Sequence, residues 1–96
     1  MISDCPQKLT EFISRLSEDG LLVEETINTQ GENPSRRFDV ESNKSLGRIV
    51  LWNSGEWELE AISVETGELV FWRSLNQPED LELSETLAIW ESHTQP

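Results

Sequence analysis

Residues 48–73 carry the sequence RIVLWNSGEWELEAISVETGELVFWR, which includes three of the four tryptophans in the chain. Runs of β-branched, aromatic and alternating residues, separated by turn residues, predict three consecutive strands. We place these strands at about residues 48–52, 56–64 and 68–73. The turns between them contain Gly55 and Gly67, at positions where hairpin loops need a positive φ. This segment therefore predicts an antiparallel meander.

The preceding residues predict one helix and two further strands. Apolar residues at helical spacing form a single stripe on a helix at about residues 4–18. The stripe consists of Leu9, Phe12, Ile13 and Leu16. Asp4 or Ser3 can cap this helix, with Pro6 in its opening turn. The strands are expected at about residues 21–28 and 36–41.

A second helix is predicted after the meander, from a cap at Ser74 or Asn76 to about Ser92. The order of elements is then α-β-β-β-β-β-α within a single domain, residues 1–96. We therefore predict an α+β fold, in which an antiparallel β-meander of about five strands has an N-terminal and a C-terminal helix packed on one face. Phe12 and Trp90 are expected to anchor the two helices to the sheet.

The turn at residues 65–67 determines which side chains share a face of the sheet. A three-residue turn pairs Val64 with Glu68. The same register predicts the pairs Ile62–Val70, Ala61–Phe71, Glu60–Trp72 and Leu59–Arg73. The face expected to hold the helices then carries Trp57, Leu59, Ala61, Leu69 and Phe71. The opposite face carries Glu58, Glu60, Ile62, Val64, Val70 and Trp72.

This opposite face is the candidate binding site. An exposed tryptophan beside aliphatic and charged side chains is typical of a protein interface. The predicted partner-binding residues are Glu58, Glu60, Ile62, Val70 and Trp72. The alternative is a structural role, in which residues 29–35 cover this face or Trp72 packs flat on its neighbours.

The sequence of the first hairpin of the meander is compatible with two pairing registers. A two-residue turn at Ser54-Gly55 sets Trp52 beside Trp57 on the core face. A three-residue turn places Ile49 and Leu51 on that face instead. The choice matters because a slip of one residue exchanges the two faces of a strand.

The charge of the chain restricts its partners. Asp and Glu number 19 against 7 Lys and Arg, for a net charge of -12. Such a surface is repelled by nucleic-acid phosphates and by anionic membranes. A basic protein would be attracted, and its association would be accelerated. The other explanation is that the acidity only keeps the protein soluble.

The location predicted from the sequence is the cytoplasm. Cys5 is the single cysteine, so an internal disulfide is excluded. A small domain without disulfides is more typical of the cytosol than of secretion. We expect no signal peptide, because no basic stretch precedes an apolar run at the N-terminus. We also expect no transmembrane segment, because the apolar runs are short.

The sequence gives little support for a catalytic site or a metal site. His93 is the only histidine, and it forms no triad or zinc site with Cys5. Glu56, Glu58 and Glu60 share one face of a strand. They can be a solvated surface, a docking site for a basic partner or, least favoured, a catalytic or metal site. We therefore predict a non-enzymatic protein without a cofactor.

The meander resembles the small TriTu immunity proteins, which are encoded beside bacterial polymorphic toxins, including those of contact-dependent growth inhibition. The similar residues lie in 48–56, 58–62 and 65–68. The resemblance extends over about residues 36–92, and the first helix is compatible with it.

The resemblance implies a cytoplasmic protein that binds its cognate toxin domain and blocks it, and it implies no catalytic residue. A nuclease-type toxin would be basic, in agreement with an acidic inhibitor. The alternatives are an acidic adaptor or regulatory module, and a nucleic-acid-mimicking decoy that binds a basic protein. We expect a monomer or a weak dimer.

Overall fold

A computed structural model describes residues 6–94 of the chain. Its helices are α1 (Gln7–Glu18) and α2 (Asp80–Thr94). Its strands are β1 (Leu22–Asn28), β2 (Ser35–Glu41), β3 (Ser45–Trp52), β4 (Glu56–Ser63) and β5 (Leu69–Asn76). The strands form one antiparallel sheet in the order β1-β2-β3-β4-β5. The predicted α+β fold with a five-stranded meander is confirmed.

Both helices pack on the same face of the sheet. The buried residues alternate along β2, β3 and β4, so within each strand they belong to one face, the one that carries the helices. The buried strand residues include Phe38, Val40, Ile49, Leu51, Trp57, Leu59 and Leu75. Leu9, Phe12 and Leu16 of α1, and Leu83, Leu87 and Trp90 of α2, complete this core. The other face of the sheet, which we call the open face, is covered by neither helix.

Trp90 is the central contact between α2 and the sheet. Its side chain is fully buried, and its ring centroid lies 5.8 Å from that of Phe12. The indole nitrogen Nε1 donates a hydrogen bond of 2.9 Å to the carbonyl oxygen of Glu60. The ring also lies on Gly47 of β3, where a Cβ atom would be only 2.6 Å from Cζ2 of Trp90. The predicted anchoring of the helices by Phe12 and Trp90 is confirmed.

The first hairpin adopts the three-residue alternative. Leu51 pairs with Trp57 and Ile49 with Leu59, and both β3 residues are buried. Gly55 has a φ of 96°, and its N–H donates to the carbonyl oxygen of Trp52. The two-residue turn would have put Arg48 on the core face. Burying an unpaired charge is costly, which explains why the three-residue turn forms.

The second hairpin differs from the prediction. The pairs Ala61–Phe71, Glu60–Trp72 and Leu59–Arg73 are as predicted. A β-bulge next to Ala61 then makes Ile62 pair with Leu69, so that Val70 is the extra residue and the predicted Ile62–Val70 pair is wrong.

The bulge also changes the turn and the core. β4 ends at Ser63, and the loop is longer than the predicted 65–67 turn. The predicted Val64–Glu68 pair is wrong, since the N–H of Ser63 donates to the carbonyl oxygen of Glu68. Leu69 was expected on the core face, but it is 55% exposed.

Three element boundaries also differ. β3 begins at Ser45 and not at about residue 48. The predicted caps of α2, Ser74 and Asn76, are both wrong, because both residues belong to β5 and α2 begins only at Asp80. Pro6 occupies the N-cap position of α1 rather than its first turn. The proposed caps Ser3 and Asp4, and also Cys5, lie outside the described residues.

Candidate functional site on the open face of the sheet

Cross-strand rows of side chains make up the open face, and three of them carry its chemistry. The Ile62 row contains Leu22, Glu41, Leu46, Ile62 and Leu69. The Glu60 row contains Glu24, Asp39, Arg48, Glu60 and Trp72. The Glu58 row contains Thr26, Arg37, Val50, Glu58 and Ser74. A mainly apolar row, a charged row and a mixed row thus lie next to one another on a single surface.

Two carboxylates of the Glu60 row, Asp39 and Glu60, are paired with arginines, one of which comes from the Glu58 row. One carboxylate oxygen of Asp39 accepts a hydrogen bond of 2.9 Å from Nε of Arg37, and the other accepts one of 2.9 Å from Nε of Arg48. Nη1 of Arg48 also lies 3.6 Å from a carboxylate oxygen of Glu60. These side chains are partly exposed, so each pair stabilises the fold only modestly. Their main effect is to fix two arginines against two carboxylates.

Glu58, like Glu24 and Glu41, lies outside this network. It stands between Val50 and Ser74, neither of which is charged. Within residues 6–94 it makes no ion pair and no side-chain hydrogen bond. A hollow of about 490 Å³, lined in part by Glu58, Val50 and Trp52, opens beside it. This carboxylate is therefore available to a cation from outside the chain.

The Ile62 row supplies exposed apolar surface. Leu22 is 68% exposed and Leu46 is 46% exposed. A hollow of about 450 Å³ lies between this row and the Glu60 row. At the end nearest β5, Val70 is 44% exposed and Trp72 is 54% exposed. An apolar strip with a large aromatic side chain thus runs alongside the charged row.

The register brings the predicted site residues Glu58, Glu60, Ile62 and Trp72 together on the open face. Val70 lies beside them as the extra residue of the bulge. No described segment covers Trp72, whose exposure excludes a covering loop at residues 29–35.

Several residues of this surface were not predicted from the sequence. Leu22 and Leu46 align with Ile62, and Arg37 and Arg48 hold Asp39. The available signal was the alternation of β3, which extends back from Arg48 to Leu46. The strand predicted at about residues 48–52 left Leu46 out.

Other kinds of site have weaker support. The ring of His93 stacks on Phe71, with centroids 5.3 Å apart. Among residues 6–94, no group of three or more His, Cys, Asp or Glu side chains is arranged to hold a metal ion. In the same part of the chain, no helix combines the length and the apolar character needed to cross a membrane.

Comparison with known proteins identifies the family to which the chain belongs. A family model described as immunity protein TriTu matches residues 7–92. The match contains all five strands, the whole of α1 and all but the last two residues of α2. No curated protein matches the chain. The match confirms the resemblance found in the meander: the chain belongs to the TriTu family of immunity proteins.

Proposed function

We propose that this immunity protein neutralises a toxin domain by binding it directly through the open face. The observation that carries the proposal is the exposure of Trp72, at 54%, beside the Ile62 row and next to the unpaired Glu58. Buried aromatic anchors surrounded by polar groups supply most of the energy of protein interfaces. The other face of the sheet is already filled by the two helices.

The partner is a basic protein, and a nuclease-type toxin domain fits this chemistry. The net charge of -12 attracts such a protein and repels nucleic acid. The inhibitor acts in the cytoplasm as a monomer or weak dimer, without a cofactor and without catalysis. Binding that covers the toxin is sufficient for this role.

The predicted binding residues contribute unequally. Glu60 already faces Arg48 at 3.6 Å, so part of its charge is compensated within the chain. Glu58 has no such partner and offers its full charge to a basic group. Trp72, Ile62 and Val70 provide the apolar contact. The decoy alternative is less favoured, because arginines interrupt the acidic surface.

The pair of substitutions Trp72→Ala and Glu58→Lys is expected to weaken binding at least about 25-fold, since losing an interface anchor costs about 2 kcal/mol or more and each 1.4 kcal/mol is a factor of about ten. Isothermal titration calorimetry with the toxin domain encoded beside this protein measures the change. Circular dichroism checks that the fold is kept.

The matched control is Ile89→Ala with Glu85→Lys, which also truncates an exposed apolar side chain and reverses the charge of a glutamate, on the exposed side of α2. We expect this control to bind within about twofold of the unchanged protein, a difference of about 0.4 kcal/mol. If the control loses affinity and the open-face variant keeps it, the binding site lies on the helices.

A further inference from the structure

The sheet has two edges, and they differ in their protection. β1 forms one edge and carries Glu24 and Glu25 side by side, with Glu25 paired to Arg36 at 3.5 Å. β5 forms the other edge and contains no acidic residue, no lysine and no proline. Charged residues and prolines are the usual means of blocking an edge against another strand. The protection of β5 is limited to the bulge at its start and to one charged residue, Arg73, whose guanidinium lies over the Phe71 ring.

The exposed side chains of β5 favour contact with another chain. Leu69, Val70 and Trp72 are all 44% or more exposed. No segment within residues 6–94 pairs with the outer side of β5. Its backbone N–H and C=O groups on that side are therefore available as a template for another strand.

A basic partner fits this edge better than a second copy of the chain. Two copies would bring together net charges of -12 each, which repel. A basic protein would be attracted by the same charge. A strand of this partner, added to β5, would have only β5 between it and β4. β4 carries Glu56, Glu58 and Glu60 on the open face.

We infer that the toxin adds a sixth strand to β5, and that a basic side chain of this strand reaches across Ser74 to Glu58. The inference rests on the proposed function and specifies how the toxin is held. Strand addition supplies affinity through main-chain hydrogen bonds and specificity through alternate side chains.

The geometry of the rows determines where the basic residue lies. Ser74 is directly opposite Glu58, and its short side chain leaves the carboxylate accessible from the β5 edge. Adjacent strands are about 4.8 Å apart, so a lysine or arginine on the added strand can extend over Ser74. In the next row the added strand meets Trp72, which suits an apolar or aromatic residue. The toxin strand therefore carries an apolar and a basic residue two positions apart.

Residue-resolved amide hydrogen exchange tests the added strand. In the free protein, the β5 amides that point away from β4 should exchange rapidly. In the complex with the toxin domain encoded beside this protein, we expect their exchange to slow at least 100-fold. A complex that forms while these amides still exchange rapidly overturns the sixth strand and leaves the proposed function intact. If no complex forms, both are overturned.

The variant Ser74→Arg tests the contact with Glu58, because it supplies a cation from within the chain at that position. We expect it to weaken toxin binding at least tenfold. Thr26→Arg is the matched control, since Thr26 is exposed in the same row at the opposite edge and the change in net charge is identical. This control should bind within twofold of the unchanged protein.

Ser74→Gln separates charge from bulk. It lengthens the side chain without adding a cation, so we expect less than a threefold loss of affinity. Equal losses for Ser74→Gln and Ser74→Arg would overturn the ionic contact with Glu58. Equal affinities for Ser74→Arg and Thr26→Arg would do the same. Circular dichroism of each variant confirms that the comparison is made between folded proteins.

Discussion

Replacing Trp90 by alanine is expected to lower the free energy of unfolding by about 3–5 kcal/mol, the usual cost of truncating a buried tryptophan. The ring is fully buried, contacts Phe12 and lies on Gly47 of β3. Its removal leaves a cavity and also leaves the Glu60 carbonyl without the indole hydrogen bond. A domain of this size has about 5–10 kcal/mol of stability in total. The variant should therefore unfold at a much lower urea concentration.

Two further variants make the test specific. Trp72→Ala removes the same side chain from an exposed position and should change stability by about 0.5 kcal/mol or less. Trp90→Phe keeps an aromatic ring but loses the hydrogen bond to Glu60, so its cost should be intermediate. Urea unfolding followed by circular dichroism measures all three. Equal effects of the two alanine variants would contradict the central role of Trp90.

Replacing Gly47 by alanine should cost about 2 kcal/mol, within the range for overpacking a filled core. A Cβ atom at this position would be 2.6 Å from Cζ2 of Trp90 and 2.9 Å from Cγ2 of Thr94. Both neighbouring side chains are fully buried and cannot move aside freely. The backbone of Gly47 needs no positive φ, so the cost comes from packing and not from chain conformation.

A double-mutant cycle with Trp90→Phe tests this cause. Phenylalanine lacks the outer ring that contains Cζ2, so the cost of Gly47→Ala should fall by at least half in that background. Gly67→Ala is the control. Its φ of 72° disfavours alanine, but nothing lies within 4 Å of the added atom. Its cost of about 1 kcal/mol should be the same in both backgrounds. Independent effects of Gly47→Ala and Trp90→Phe would contradict direct contact.

The sequence predicted the element order and the two faces of β4, because alternation along Trp57, Leu59 and Ala61 is regular. It left the first hairpin open between two registers. The three-residue loop is realised because it buries Ile49 and Leu51.

The bulge at Val70 was not predicted for a physical reason. Leu69 to Trp72 is an uninterrupted apolar run, and such a run does not indicate which residue faces the core. The start of β3 was missed for a different reason. Gly47 resembles a turn residue locally, but its small size is required by Trp90, which is distant in the sequence.

The residues of the proposed binding surface were only partly predictable. The placement of Trp72 and Glu58 on the same face follows from the alternation of one hairpin. Leu22 aligns with Ile62 only through three successive strand pairings, and the arginines that neutralise Asp39 come from two strands. Such alignments depend on every intervening register, so local patterns do not specify them.

The order of the strands has a consequence for how the chain folds. Each strand pairs with the one made just before it, so the sheet can form progressively as the chain leaves the ribosome. Trp90 lies in the last element, and until α2 is made the residues beneath it stay in contact with water. A nascent chain that ends after β5 would thus expose two apolar surfaces at once and be prone to aggregate. Under the proposed function, resistance to the toxin would begin only when α2 has been synthesised and docked.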